Sequence, residues 1–179
     1  MRKLFIPPLF ILAAFFLMSC SNSSSSKNKD NTDSISENNN SDTIQIGDED
    51  FATYFIVVAD TGVDYYVLRK MMMKIKKKHK MEIDTMGRYY DEDKGMIVLP
   101  ENDEDEIYAG DYFPRRMPSE TLSLEYLDLY QRKAGERTIA LVCGIYENEN
   151  SADSLQKTIK KTAPGSFVIE TEMFIGCLH

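Results

Sequence analysis

Residues 137–146, RTIALVCGIY, form a run that is apolar at almost every position. Residues 52–59, ATYFIVVA, form a second run of the same kind. β-Branched and aromatic residues favour extended structure, and a strand that is apolar on both sides is typically covered on both faces of its sheet. We therefore expect these two segments to be the central strands of one sheet.

Each of the two runs is followed by a helical pattern and a shorter strand. After the first run, apolar residues recur at helical spacing up to about residue 80, namely Tyr65, Leu68, Met72 and Ile75. Residues 81–86 then favour a short strand. After the second run, one apolar stripe is formed by Ala152, Leu155 and Ile159. Residues 166–175 then alternate between apolar and polar, as on an edge strand with one wet face.

The order strand–helix–strand, occurring twice, predicts an α+β fold. Two such units commonly close into a four-stranded antiparallel sheet with both helices on one face, the split βαβ or ferredoxin-like plan. In this plan the strands lie in the spatial order fourth, first, third, second. Residues 87–136 separate the two units and are interpreted as an insertion. Within it, apolar stripes on two sides predict a third helix over 119–133, which would cover the second face of the sheet.

The second unit resembles a known family. VCGIY (142–146), followed by the stripe of the second helix, is similar to the second half of a SPOR (sporulation-related, peptidoglycan-binding) domain. That half has the pattern Val-x-Gly-x-aromatic, an Ala-x-x-Leu helix and a strand, and the resemblance covers residues 139–174. The first unit departs from the pattern, because Ala59 stands near the glycine position and Thr61 near the aromatic one.

The resemblance implies a non-enzymatic module that binds peptidoglycan glycan strands on the sheet face opposite the helices. A glycan site needs aromatic rings for the sugars and polar side chains for their hydroxyls. The candidate ligand-binding residues are Tyr54, Tyr146, Glu170, Glu172 and Phe174. A helix lying on that face would block it, which favours the alternative of an envelope protein-interaction or assembly subunit with no glycan binding.

The N-terminus has the three parts of a secretory signal. Arg2 and Lys3 are basic, and residues 4–18 are almost wholly apolar. A membrane-spanning helix needs about 20 apolar residues, so this stretch is short for an uncleaved anchor. We interpret residues 1–19 as a signal peptide.

The end of this signal resembles the lipobox of bacterial lipoproteins. It reads LMSC (17–20), directly after the apolar core. The resemblance implies cleavage before Cys20 and acylation of that cysteine, for example with palmitate, so that acyl chains hold the protein on a membrane. Ser21, in place of an acidic residue, favours the outer membrane, with the protein facing the periplasm.

Residues 20–50 are predicted to be a disordered tether behind the lipidated cysteine. Ser and Asn dominate this stretch and it contains no aromatic residue. Such a segment cannot bury enough apolar surface to offset its chain entropy. The folded domain is therefore expected at 51–179.

Charge and residue types exclude several functions. The formal net charge of -8 disfavours binding to nucleic acid and non-specific binding to anionic lipid. Asp60-Thr61-Gly62 resembles the aspartic protease motif, but Val63 replaces the small residue that should follow, so we interpret it as a turn with Asp60 capping the next helix. With two histidines in the chain, no catalytic triad is apparent. We expect no enzyme activity and no cofactor.

Three further features concern ions and thiols. The acidic run at 101–106 lacks the glycine and spacing of a calcium loop, so no metal site is expected. The basic run at 74–80 is read as a solvated helix end, with an anion-binding patch as the alternative. Cys143 and Cys177 are predicted to be free thiols, because the predicted strand order separates their strands by the first strand.

Overall fold

A computed structural model describes residues 50–176. Its elements in chain order are β1 (Phe51–Gly62), α1 (Tyr65–His79), β2 (Tyr89–Asp91), β3 (Met96–Val98), β4 (Ser123–Tyr126), a 3₁₀ turn (Leu127–Leu129), β5 (Ile139–Tyr146), α2 (Glu149–Ile159) and β6 (Phe167–Phe174). The predicted signal peptide, Cys20, the tether up to residue 49, and Cys177 lie outside the described residues. No helix of the described part is long and apolar enough to cross a membrane.

The main sheet is antiparallel, with the strand order β4-β5-β1-β6. Phe55 of β1 pairs with Tyr146 of β5 on one side and with Glu170 of β6 on the other. The predicted α+β class, with a four-stranded antiparallel sheet and two helices, is confirmed. The two doubly apolar runs are the central strands, and the strand at 167–174 lies beside β1 as expected.

The fourth strand differs from the prediction. Residues 81–86 do not form a strand of this sheet. Ile83 makes only an isolated parallel bridge to Leu122. Met86 and Gly87 then adopt positive φ values of 53° and 79°, which turn the chain away. β4, from the middle of the insertion, takes the edge position beside β5.

The predicted helix over 119–133 is also wrong, because this segment forms β4, the 3₁₀ turn and loops. The spacing of Leu122, Tyr126 and Leu129 matched a helix, yet Leu122 is buried and Leu129 is exposed. In β4 it is Ser123 and Glu125 that point to one side, and both are buried. Pairing with β5 stabilises the strand conformation. Buried hydrogen bonds from two arginine side chains to Ser123 and Glu125 also stabilise it.

Both helices pack on the same face of the sheet. Side chains of Leu68, Met72 and Ile75 from α1, and of Ala152 and Ile159 from α2, share one core with Val57, Ala59, Leu141 and Cys143 of the sheet. Ala152 is fully buried, as its place in the apolar stripe predicted. A small residue there lets the helix approach the sheet closely.

The opposite face of the sheet is also covered. Its core contains Ile56, Val58, Ala140 and Val142 of the sheet, together with Leu127 and Tyr130. Ala134 packs against the same cluster. The insertion therefore covers this face, as predicted, but with a 3₁₀ turn and loops instead of a helix.

The start of α1 lies further along the chain than the sequence indicates. β1 continues through Asp60-Thr61-Gly62, so the interpretation of this motif as a turn is wrong. The N-cap of α1 is Asp64, whose Oδ1 accepts hydrogen bonds from Tyr66 N and Val67 N at 2.9 and 3.0 Å. Asp60 instead accepts from its neighbour, Thr61 N.

Candidate functional site: a cleft between the insertion and the end of β6

The five candidate ligand-binding residues do not form one site. Tyr54 and Tyr146 are buried, at 5% and 8% exposure, in the cores on opposite faces of the sheet. Side chains alternate along a strand, and Val168 belongs to the helix-side core, so Glu170, Glu172 and Phe174 point to the helix side of β6. Of the five, only Phe174 lines a cleft of about 780 Å³ between the insertion and the end of β6.

This cleft, called the insertion cleft below, has a volume of about 780 Å³. It is lined by residues 104–108, by residues 113, 114, 116 and 117, by Met86, and by residues 174–176, which are the last residue of β6 and the two that follow it. Two loops of the insertion thus meet the last strand of the sheet. A cleft of this size is within the range of ligand and peptide sites.

The walls of the insertion cleft are apolar and accessible. Ile107, Met117 and Ile175 are 63%, 69% and 44% exposed. The rings of Tyr108 and Phe113 contact edge to face at 5.0 Å between centroids. Single exposed apolar side chains are ordinary, but several lining one concave surface are typical of an interaction site.

One rim of the cleft is acidic. Glu104 and Glu106 are exposed, and no salt bridge of the described residues involves either of them. Asp105 has a structural role, because its Oδ1 accepts hydrogen bonds from Ile107 N and Tyr108 N at 3.1 and 3.3 Å. The loop therefore presents two carboxylates beside the apolar wall in a defined conformation.

A buried ion pair holds the loop that carries Phe113, one of the residues lining the cleft. Arg88 donates two hydrogen bonds of 2.6 Å to the carboxylate of Glu125, and a third of 2.9 Å to the carbonyl oxygen of Phe113. The hydroxyl of Tyr112 donates to the same carboxylate at 2.5 Å. Burial opposes the charge of Arg88, but its bonds to Glu125 outweigh this and raise the pKa of Arg88. These contacts tie β4 to the loop that carries Phe113.

A second buried arginine fixes the next part of the insertion. Arg115 donates to Ser119 Oγ at 2.6 Å and to Ser123 Oγ at 2.7 Å, and its Nε has no partner among the described residues. Burial lowers the pKa of Arg115. The chain on both sides of Met117 is therefore held in place, although Met117 itself is exposed.

Glu172 lies beside the insertion cleft, in a depression of about 100 Å³ that also contains Phe174 and Arg116. Arg116 and Phe174 line both concavities. The structure thus brings two of the predicted residues, Glu172 and Phe174, together at this end of β6. Glu170 lines none of the concavities found in the described part.

Tyr146 lines a separate, polar groove along α2. Glu120 lines the same groove, and burial together with that carboxylate raises the pKa of Tyr146. The remaining lining residues are mostly hydroxyl and amide side chains, namely Asn150, Ser151, Ser154, Leu155 and Thr158. The groove measures about 440 Å³.

Sequence reasoning missed most of the insertion cleft. Ile107, Tyr108, Phe113 and Met117 lie between the acidic run at 101–106 and the predicted helix at 119–133, in a stretch for which the sequence predicts no helix or strand. The available signal was the apolar pair Ile107-Tyr108 directly after five residues rich in acid, and the isolated Met117 between Arg116 and Pro118. An apolar side chain does not stabilise a polar loop by local interactions, so its presence indicates a contact with another part of the protein or with a partner.

Three further observations concern metal ligands, the buried thiol and the histidine of α1. The described residues contain no group of three or more His, Cys, Asp or Glu side chains that could hold a metal ion. Burial raises the pKa of Cys143 to about 12, so this thiol is protonated at neutral pH. Nε2 of His79 lies 2.6 Å from Thr162 Oγ1, and burial lowers the pKa of this histidine.

Comparisons with known proteins give no relative from which a function could be transferred. The chain matches no protein-family model, no curated protein and no solved structure. Its function is therefore inferred from its own residues.

Proposed function

We propose that this chain is a membrane-anchored, non-enzymatic binding protein of the cell envelope, and that its insertion cleft binds a segment of another envelope protein. The observation that carries the proposal is the cleft itself, in which Ile107, Met117 and Ile175 remain exposed on a concave surface beside two free carboxylates. The anchor is Cys20, the lipobox cysteine, placed on the outer membrane with the domain in the periplasm.

The chemistry of the cleft favours one class of partner. Aliphatic and thioether side chains bind other apolar side chains, whereas sugar rings bind best on open aromatic faces. The carboxylates of Glu104 and Glu106 outnumber Arg116, the one cation among the described lining residues, and favour a segment in which Lys or Arg lies next to the apolar residues. The preferred partner is therefore a protein segment that is both apolar and basic.

The cover on the second sheet face argues against glycan binding in the manner of SPOR domains. The resemblance implies a glycan platform on the face opposite the helices. In this chain Leu127 and Tyr130 pack on that face, and Tyr54, a candidate for contact with sugar, is buried beneath the cover. A glycan strand bound by this protein would have to use another surface.

The polar groove along α2 favours glycan binding as the second candidate function. The hydroxyls of Ser151, Ser154 and Thr158, with Glu120, offer hydrogen-bonding groups of the kind that sugars need. Tyr146 adds one ring edge. Co-sedimentation with purified sacculi, with and without amidase treatment, tests this candidate directly. Binding that is lost in Ser154→Asp, but retained in Met117→Asp, would support it.

Photo-crosslinking from the cleft tests the leading proposal. A photoreactive amino acid is placed at Met117 in the full-length, acylated chain, and the control carries it at Met73, an exposed methionine of α1 that does not line the insertion cleft and from which only lipid adducts are expected. We expect a discrete protein adduct from position 117 and not from position 73. A photoreactive amino acid at Ile175 should give the same adduct. That adduct should disappear when Ile107→Asp and Met117→Asp are added to the chain that carries the crosslinker at position 175.

Two results would overturn the proposal. Equal crosslinking from positions 117 and 73 would mean that the cleft has no special role. Failure of the chain to incorporate labelled fatty acid, or continued incorporation and membrane partitioning in Cys20→Ala, would remove the predicted anchor. Both substituted cleft residues are exposed, so unchanged thermal unfolding is expected and should be recorded alongside.

A further inference from the structure

The solvent face of α1 is strongly basic, in a chain whose net charge is -8. The helix reads YYVLRKMMMKIKKKH and contains no acidic residue. Leu68, Met72 and Ile75 face the core. With 3.6 residues per turn, Lys70, Lys74 and Lys77 lie on the opposite side, and all three are exposed. The exposed face of a helix usually carries both acidic and basic residues. The absence of acidic residues from α1 therefore indicates that its positive charge has a role.

The end of α2 extends the same basic surface. Lys78 Nζ donates to the carbonyl oxygen of Lys161 at 3.3 Å, and His79 Nε2 lies 2.6 Å from Thr162 Oγ1. These contacts join segments 83 residues apart in the chain. Lys160 and Lys161 are both exposed. The fold therefore concentrates two separate basic runs into one surface.

The charges on this surface are not compensated locally. The α1 lysine that forms a salt bridge in the described part is Lys76, which pairs with Glu82. Lys157 of α2 pairs with Asp153 one turn before Lys160. The six lysines at positions 70, 74, 77, 78, 160 and 161, called the basic face below, take part in no salt bridge of the described residues. Lysines in the last turn of a helix are favoured because they interact with the negative end of the helix dipole. Lys70 and Lys74 lie before the last turn of α1, so the dipole does not explain them.

Exposed apolar side chains lie among these lysines. Val67 is 61% exposed and Met73 is 47% exposed, and each is one helical turn from a lysine of the basic face. The apolar face of α1 is buried against the sheet, so a membrane contact of this helix would use its lysine-bearing face. Lysines near a membrane surface are attracted to anionic headgroups, and neighbouring apolar side chains add burial in the interface.

We propose that the basic face docks on a bilayer whose surface carries anionic phospholipid headgroups. This inference rests on the proposed function, because the lipid anchor is what keeps the domain beside a bilayer. The net negative charge of the chain does not prevent docking, since charges more than about 8 Å away are screened at physiological ionic strength. Each lysine at an anionic surface strengthens attraction about fivefold. Docking would set the orientation of the domain, while the acyl chains hold it on the membrane.

Lysine footprinting on the acylated, full-length chain tests the proposal. The protein is reconstituted into vesicles of phosphatidylcholine alone, or of phosphatidylcholine with one third phosphatidylglycerol. Acetylation rates are then read by mass spectrometry at Lys70, Lys160 and Lys161, with exposed Lys133 of the insertion as the internal control. We expect at least fivefold slower acetylation of the three reporters on the anionic vesicles, reversed by high salt, and no change at Lys133.

Charge-removal variants check that the basic face is responsible. Lys74→Gln with Lys77→Gln should lower the affinity of the domain for the anionic surface by about 25-fold, from two lysines at fivefold each, and so abolish the protection of Lys160 and Lys161. The matched control, Arg132→Gln with Lys133→Gln, removes the same charge from another exposed segment and should leave the protection intact. All four substituted residues are exposed, so the fold is expected to persist.

The remaining outcomes decide against the proposal. Equal acetylation on both vesicle types overturns it. Equal protection by inorganic phosphate in solution would assign the basic face to small phosphate ligands, and protection by sacculi but not by vesicles would assign it to the cell wall. If the chain takes up no fatty acid, the proposed anchor fails, whereas docking can still be measured by adding vesicles to the unacylated chain.

Discussion

The two faces of the central sheet are covered by different kinds of structure. On one face, two regular helices pack apolar side chains at helical spacing, and Ala152 and Ile159 are fully buried there. On the other face, a 3₁₀ turn and loops lie over the sheet, and the insertion that supplies them is held by the buried polar contacts of Arg88, Glu125 and Arg115. The first arrangement depends on local periodicity, whereas the second depends on specific pairs of distant residues.

Removing the buried carboxylate should have the largest effect. Glu125→Ala leaves Arg88 charged, buried and without its carboxylate, and breaking a buried ion pair in this way costs about 3–5 kcal/mol of unfolding free energy. Urea unfolding of the variant and the wild type measures the difference. The double variant Arg88→Met, Glu125→Leu removes both partners and should be clearly more stable than Glu125→Ala. A loss below about 1 kcal/mol in the single variant would mean that water reaches Arg88 and that the comparison of the two faces is overstated.

Overfilling the helix side should have the next largest effect. Ala152→Leu adds three carbon atoms where α2 presses on the sheet, and overpacking of this kind costs about 1–3 kcal/mol. The control, Ser154→Leu, adds bulk on an exposed position of the same helix and should change stability by less than about 0.5 kcal/mol. Thermal or urea unfolding of both variants is sufficient. Equal effects from the two substitutions would contradict the close approach of α2 to the sheet.

The contrast between the faces also explains how far the sequence could be interpreted. β5 was predictable because its apolar, β-branched run is continuous, and α2 and β6 because their apolar residues repeat with the period of a helix or a strand. β4 was not, because a strand that buries Ser123 and Glu125 is stable only when Arg115 and Arg88 come back to meet them. Arg88 is 37 residues from Glu125 in the chain, and no local pattern connects the two.

The same difference between regular elements and loops determined which residues of the candidate site could be predicted. Phe174 was found because it belongs to the alternating pattern of β6. Ile107 and Met117 were missed, since they lie in loops whose conformation is determined by buried contacts elsewhere in the insertion. Tyr54 and Tyr146 were selected as aromatic residues of central strands, and both are buried in cores for that same reason.

A smaller effect is expected at the start of α1. Asp64→Ala removes the side chain that caps Tyr66 N and Val67 N, and loss of such a cap costs about 1 kcal/mol. Asp60→Ala, at the position that the sequence favoured as the cap, should change the unfolding free energy by less than about 0.5 kcal/mol, because Asp60 is exposed and bonds only its neighbour in the described structure. If Asp60→Ala were the more damaging of the two, the helix would begin earlier than described.

The smallest effect is expected for an exposed ion pair on the helix side. Lys157 and Asp153 lie 3.6 Å apart on α2, with side chains 74% and 49% exposed. Exposed pairs of this spacing contribute about 0.3–0.5 kcal/mol. Asp153→Asn should therefore be nearly neutral in urea unfolding, in contrast to Glu125→Ala. Similar losses from the two variants would show that burial does not distinguish the two ion pairs.

The last strand of the sheet has a further consequence for contacts between copies of the protein. In the described part no strand pairs with the outer side of β6, so its backbone is open to pairing with another copy. Such edges are common starting points for aggregation, and charged side chains on them oppose it. Glu170 and Glu172 are exposed on β6, and a second copy added in antiparallel register would bring like charges close together. The two carboxylates thus oppose the joining of sheets from separate copies into fibres.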